Sequence, residues 1–451
     1  MSRQEERARS LGERPINHLL LQFSIPAIVG MLVQALYNVV DQIFVGRFVG
    51  EIALGGLAIA SPMMFIQMAF GMLIGLGGNS LVSIRLGEQN KDEADKIAGN
   101  TLGYSFLAGL AVAIAGFIFL DKIPQLFGAT ANNEIFTRDY LSIIIIGFPF
   151  QSVSAGMNNY IRSEGNPKKA MGTMLIGAIT NIFLDYIFIA ILGWGVKGAA
   201  LATIISQIIS MTWVLSYFFK RESFLNITKE TMKLEIGILI KIVKMGFAPF
   251  GMQLMNSLVT IMFNNALRTY GGDSAISAMA IINSITRLIM MPVFGISQGA
   301  QPIMGYNFGA KQYDRVRHAL FVSAGVATIV TSIGTYISFA FPEALFHIYL
   351  SESEGLHEFL KVGVPAIKMY NLMFFAVGGP VLFSGYFQST GRPKHAISIS
   401  LMRQLLFLLP GIIILPQFLK IDGVWLAMPV SDFLSAIVSS TITFRDLKKW
   451  K

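Results

Sequence analysis

The sequence predicts an all-α integral membrane protein: twelve transmembrane helices in two six-helix lobes, related by a pseudo-two-fold axis along the membrane normal. Three observations predict it. Long apolar runs recur from about Leu19 to Phe444, and about 20 apolar residues rising 1.5 Å apiece cross a roughly 30 Å hydrocarbon core. Lys and Arg collect in alternate connections between those runs. Short motifs of the first half return in the second at a nearly constant offset. Composition agrees, with 53% hydrophobic and 14% charged residues and a mean hydropathy of +0.60. Soluble chains carry about 25% charged residues, so most of this surface does not face water.

The spans fall, in order, at about 16–46, 53–84, 97–120, 135–158, 168–192, 196–219, 238–269, 274–305, 316–341, 358–388, 395–416 and 423–444. Each is read as a helix because lipid-exposed backbone must satisfy its own hydrogen bonds, and the polar/apolar alternation of a β-barrel is absent. The first fifteen residues are polar, with no apolar region or cleavage site before Ile16. The first run is therefore expected to be retained as a span. Residues 220–237 are longer and more polar than the other connections. The expected organisation is an amino-terminal tail (1–15), an N-lobe (16–219), a linker (220–237), a C-lobe (238–444) and a carboxyl tail (445–451).

An even number of spans puts both termini on one side. That side would hold 25 Lys and Arg, the opposite side only seven. By the positive-inside rule it is the cytoplasm. The net charge of +9 is thus a topology signal rather than a nucleic-acid footprint. The repeat supports the same layout. Ser163-Glu-Gly-Asn-Pro-Lys168 answers Ser389-Thr-Gly-Arg-Pro-Lys394, Gly195-Val196 answers Gly423-Val424, and Arg85-Leu-Gly87 answers Asn307-Phe-Gly309. Six spans separate equivalent positions, so the halves share one orientation. Two such lobes facing one another imply a central cavity and alternating access.

With no cysteine and five scattered histidines, disulfides and thiolate metal sites are excluded and no cofactor is expected. Charges inside spans are costly and usually functional. Six lie well inside: Asp41, Asp185, Arg287, Lys368, Arg403 and Asp432. All three bases are in the C-lobe, where Asp432 can neutralise one of them, so Arg287, Lys368, Arg403 and Asp432 read as a C-lobe charge cluster. Asp41 and Asp185 have no intramembrane base in their own lobe; the nearest is Arg47, six residues past Asp41. Such carboxylates must bind a proton, bind a cation or reach across the cavity.

Gln34, Tyr37, Asn38 and Asp41 recur at helical spacing, giving the first span a polar stripe. Asn181 and Asp185 share a face of the fifth span, and Thr203, Ser206, Gln207 and Ser210 form a stripe on the sixth. Asp185 and Thr203 each lie about seven residues, roughly 10 Å, from the outer ends of their spans. Asp41, Asn181, Asp185 and Thr203 would together offer the hard oxygen ligands an alkali cation prefers. Met31, Gln34, Tyr37, Asn38 and Gln207 are candidates for the substrate cavity, where methionines and aromatics suit bulky organic cations. Pro26 supplies a hinge in the first span.

Phe23-Ser-Ile-Pro26 and Tyr37-Asn-Val-Val-Asp41-Gln-Ile-Phe-Val-Gly46 resemble the first helix of the multidrug and toxic compound extrusion (MATE) family. Gly299-Ala-Gln-Pro302 with Gly305-Tyr-Asn-Phe-Gly309 resembles its eighth helix and following loop. The resemblance runs the length of the chain and is nearest the prokaryotic branch of DNA-damage-inducible protein F. It implies export of small cationic or amphipathic drugs across the prokaryotic inner membrane by a monomer, driven by inward H+ or Na+. It also implies a cation site on Asp41, Asn181, Asp185 and Thr203, and a cavity that includes Gln34, Tyr37 and Asn158. Another branch uses carboxylates in the seventh and tenth helices; the interiors of those spans hold none here. A lipid or lipid-linked precursor flippase of the same superfamily is the alternative, prompted by the three C-lobe bases. A major-facilitator transporter would carry a basic Gly-x-x-x-Asp-Arg loop where this chain reads Arg85-Leu-Gly-Glu-Gln-Asn-Lys-Asp-Glu. No residue pattern points to an enzyme.

Overall fold

Twelve helices long and apolar enough to cross a membrane are present in the computed structural model. It describes residues 3–127, 129, 132–220, 222–349 and 356–450. Met1, Ser2, Arg221 of the linker and Lys451 lie outside the described residues. The spans are Ile16–Phe48, Ile52–Gly87, Lys91–Ile118, Glu134–Ser163, Pro167–Ile191, Gly195–Phe219, Ile236–Gly272, Ser274–Gly309, Tyr313–Ala340, a tenth beginning with Phe359–Ala376, Pro393–Leu419 and Ile421–Leu447. Several run past the expected ends because polar last turns such as Asn307-Phe-Gly309 stay helical beyond the apolar run. The seventh and eighth follow one another through a kink at Gly272, whose φ of 67° is open to glycine at little cost.

Four spans are not uniform helices. The fourth passes through a 3₁₀ turn at Ile145–Gly147, just ahead of Pro149. The tenth, read from the sequence as one helix, is broken: Leu356–Tyr370 is followed by a 3₁₀ turn at Phe374–Ala376 and a separate helix, Gly378–Ser389. The Gly378-Gly-Pro380 run explains the restart, since proline cannot donate to the preceding turn. The fifth and eleventh contain π-helical stretches, Tyr186–Ile191 and Arg403–Leu408.

The two halves repeat their backbone oddities. Gly165 and Gly391 have φ of 83° and 76°, and Gln89 and Lys311 φ of 59° and 58°. The same turn follows the same helix in each half. The apolar core follows suit. One cluster joins residues of both halves, from Leu11 and Val82 through Ile303 to Leu447, at the end of the molecule that carries both termini. Towards the other end it divides into a cluster of the first six spans around Ile144 and Ala200 and one of the last six around Leu267 and Trp425. The lobes therefore meet at the terminus-bearing end and part above it.

Glycine makes that meeting close. A Cβ on Gly77 or Gly246 would overlap the backbone of the facing seventh or second span, and one on Gly87 or Gly309 the backbone of the eighth or second. On the first span, a Cβ at Gly295 would come within 2.6 Å of Ile28, and one at Gly299 within 2.8 Å of Ser24. The amino-terminal segment, expected as a plain tail, forms a helix at Arg3–Glu13. Its end is held by the C-lobe: Asn307 Nδ2 donates to the Leu11 carbonyl at 2.9 Å, and Arg315 to those of Leu11 and Arg14 at 3.1 and 2.7 Å. The linker is pinned to the N-lobe. Asp95 accepts from Asn226 N at 2.9 Å, and Asn100 holds Thr231, Lys233 and Glu235.

Candidate cation and substrate site

Tyr37 and Asp41 lie on the side of the first span that turns towards the fifth span and Tyr140 of the same lobe. Asp41 and Asp185 lie near enough to feel one another's charge, and Tyr37 and Tyr140 sit in the same field. Asp185 is fully buried, and Asn181 and Thr203 are nearly so; the Asn181 amide donates to the Thr203 hydroxyl at 3.4 Å. Both carboxylate oxygens of Asp185, one of Asp41 and the amide oxygen of Asn181 are buried without a hydrogen-bond partner. Arg47 is exposed and pairs with neither acid. The four residues singled out from spacing and depth are thus brought together.

The chemistry follows from what is missing. A buried acceptor left unpaired costs about 1–3 kcal/mol, and an unpaired buried charge more. Several such oxygens in one place fit a proton or an alkali cation, for which two carboxylates, an amide and a hydroxyl are suitable donors. The π-helical stretch begins at Tyr186, directly after Asp185; such wide turns are frequent at functional sites. Tyr140 is missed by the sequence reading. It is 3% exposed and reaches Thr203, but it comes from a fourth span with no polar stripe around it to draw attention.

The cavity candidates divide. Gln34 and Asn38 are exposed and Met31 and Tyr37 half-buried; the Asn38 amide donates to the Gln34 carbonyl at 2.9 Å. Asn158 is buried, and its side-chain oxygen, like that of Gln207, has no partner. Pro26 is buried within a first span that remains helical through it. In the C-lobe, Arg403 Nε donates to Asp432 at 2.7 Å, and Ser431 Oγ donates to the Arg403 carbonyl at 2.7 Å. Arg287 is exposed and Lys368 half-buried, and neither forms an ion pair among the described residues. Of the four charges grouped from sequence, only the two on the adjacent last spans meet. The eleventh span's π stretch starts at Arg403, and the buried C-lobe acid Asp432 thus has its own cation, whereas neither Asp41 nor Asp185 forms an ion pair among the described residues.

The MatE family profile matches residues 26–187 and again residues 248–413. The chain belongs to the MatE family. Because one profile matches twice, the two halves of this MatE protein are copies of one unit. Asp41, Asn181 and Asp185 fall within the first match and Arg287, Lys368 and Arg403 within the second, while Thr203 and Asp432 lie beyond their ends. Curated relatives include the multidrug export protein MepA of Staphylococcus saprophyticus, 23% identical over 94% of this chain and 93% of the relative. MepA of Staphylococcus haemolyticus is 24% identical over 96% and 94%. Among solved structures, an outward-facing multidrug resistance MATE transporter of the MOP superfamily superposes with a TM-score of 0.92, covering 100% of this chain and 99% of its own at 23% identity.

Proposed function

We propose that this MatE protein is a secondary-active multidrug efflux transporter of a prokaryotic inner membrane. It exports amphipathic, cationic compounds by alternating access in exchange for inward H+ or Na+. The observation that carries this reading is the pair of acids, Asp185 fully buried and Asp41 half-buried beside it, with unpartnered buried oxygens and no base paired to either among the described residues. Two carboxylates in a dry site cannot both stay ionised without a counter-charge, so the site takes up a cation when open to one side. The charge asymmetry favours the cytoplasm for both termini, and on that orientation the parted end of the lobes faces outward. From there the cation reaches Asp41 and Asp185 and redraws the contacts of the first span, with Pro26 as the flexing point. Substrate leaves outward. Closing the outer end and opening the terminus-bearing end returns the cation to the cytoplasm and admits the next substrate.

The test is efflux of a fluorescent organic cation from proteoliposomes under a sodium gradient or a pH gradient imposed separately. One gradient drives wild-type efflux, and Asp41→Asn and Asp185→Asn each lose it while still folding. Pro26→Ala slows it if the first span must flex, and an unchanged rate would remove that step. If neither gradient drives any transport, antiport is wrong, and scrambling of a labelled lipid tests the flippase reading.

A further inference from the structure

The eighth span shows which of its faces looks at the N-lobe. At its inner end Gly295 lies against Ile28, and Gln298 accepts a hydrogen bond from Arg162 at 2.5 Å. Helical geometry at about 100° per residue carries that face up the span. Arg287 lies about 20° round from Gln298 and roughly 16 Å above it, and Ser284 and Ser277 fall on the same strip. All three are exposed, although the helix is continuous down to the contact below. The lobes have parted at that height, so the strip looks into the cleft and not into lipid.

The seventh span gives the same answer independently. Gly246 lies against Leu73, and the Phe250 ring packs edge-on to Phe70 with centroids 5.3 Å apart. Five turns above Gly246 on that face is Asn264, with Thr260 within about 40° of it; both are exposed. A polar face on a membrane helix is expensive against hydrocarbon and reasonable against water. The C-lobe wall of the cleft is therefore hydrogen-bonding and carries a guanidinium. Among the described residues Arg287 makes no hydrogen bond or ion pair, whereas Arg403 is committed to Asp432. Across the cleft, the matching face of the first span presents Met31, Asn38 and Gln42, and Asp41 is turned about 60–100° away from them, towards the fifth span.

We propose that Arg287 is an anion-accepting subsite on the C-lobe wall. Among the compounds this protein exports, Arg287 then selects for those that carry a carboxylate, or a comparable anionic group, beside their cationic centre. This rests on the efflux reading for transport, though not for binding. A guanidinium free to offer two parallel N–H donors suits a carboxylate, and a purely cationic ligand gains nothing from it.

A matched dye pair tests the assignment: rhodamine 110, with its free benzoate, and rhodamine 123, its methyl ester. Binding to purified protein is read by fluorescence polarisation and export by proteoliposome efflux, for wild type, Arg287→Gln and Arg287→Lys. Wild type binds both dyes. Arg287→Gln weakens rhodamine 110 roughly tenfold, as befits a lost hydrogen bond to a charged group, and leaves rhodamine 123 unchanged; Arg287→Lys recovers part of the loss. The proposal is overturned if wild type binds the ester but not the acid, or if Arg287→Gln weakens both dyes alike or neither. Charge-selective binding without export of either dye would leave the subsite standing and remove the efflux reading.

Discussion

Glu164 illustrates how a single residue is set by its surroundings. It sits in the turn between the fourth and fifth spans, buried to 1% exposure, and accepts hydrogen bonds from Tyr217 at 2.6 Å, Leu225 N at 2.9 Å and Ser223. Burial pushes its carboxyl above the ordinary value of 4.5, and the donors around it, the Phe224 backbone included, only partly offset that. A raised value means the native state holds the proton more tightly than the unfolded chain, so this contribution to stability is full below about pH 4.5 and is lost as pH rises through the folded value. Glu164→Gln keeps one acceptor oxygen and has no charge to bury. Its melting temperature in detergent should gain on wild type between pH 4.5 and 8; a constant difference across that range contradicts this account. At this scale the sequence is informative where charge is scarce. Asp41 and Asp185 stand out because a carboxylate in a span demands a reason. Tyr140 does not, because tyrosine is common in spans and its value here depends on which neighbours the fold supplies. The partner of Asp432 was likewise open among three bases, since only packing chooses between them.

At the scale of the element, the glycines of the second, seventh and eighth spans are what allow the lobes to touch. Gly246 faces the Leu73 carbonyl with no room for a methyl group. Gly246→Val should therefore cost about 1–3 kcal/mol, the usual penalty of overpacking, but only in the arrangement where the inner ends meet. Spin labels placed across the seam should show a population with those ends apart, and a distance distribution identical to that of the parent protein would count against it. Hydropathy located the spans well because lipid imposes both length and helical backbone. It was blind to the break in the tenth and to the π stretches in the fifth and eleventh. Those depend on hydrogen-bond register, which leaves no apolar signature. The amino-terminal helix escaped for a related reason. Its apolar Leu11 is one residue in a charged stretch, and its anchor, Arg315, is some 300 positions away.

For the whole molecule, the internal repeat foretold two matching lobes, and the doubled family match and the paired left-handed turns agree. What the repeat could not say is at which end the lobes touch, because in the proposed cycle one chain adopts both arrangements. A cross-link addresses that motion directly. A Cβ at Gly305 would lie 2.7 Å from that of Ser83 across the seam, so a modest relaxation reaches the roughly 3.8 Å separation a disulfide prefers. The chain has no cysteine of its own, so Ser83→Cys with Gly305→Cys gives a single defined bridge. Oxidation should stop transport and reductant restore it; undiminished transport by the bridged protein would mean the lobes do not rock at that end. The glycine seam has one more consequence. A membrane that stores energy as an ion gradient loses it through any passage continuous from one face to the other. Where backbone lies on backbone too tightly for a methyl group, no file of water can thread between the lobes. In the proposed cycle the protein can hold its outer cleft open without short-circuiting the battery that would drive it.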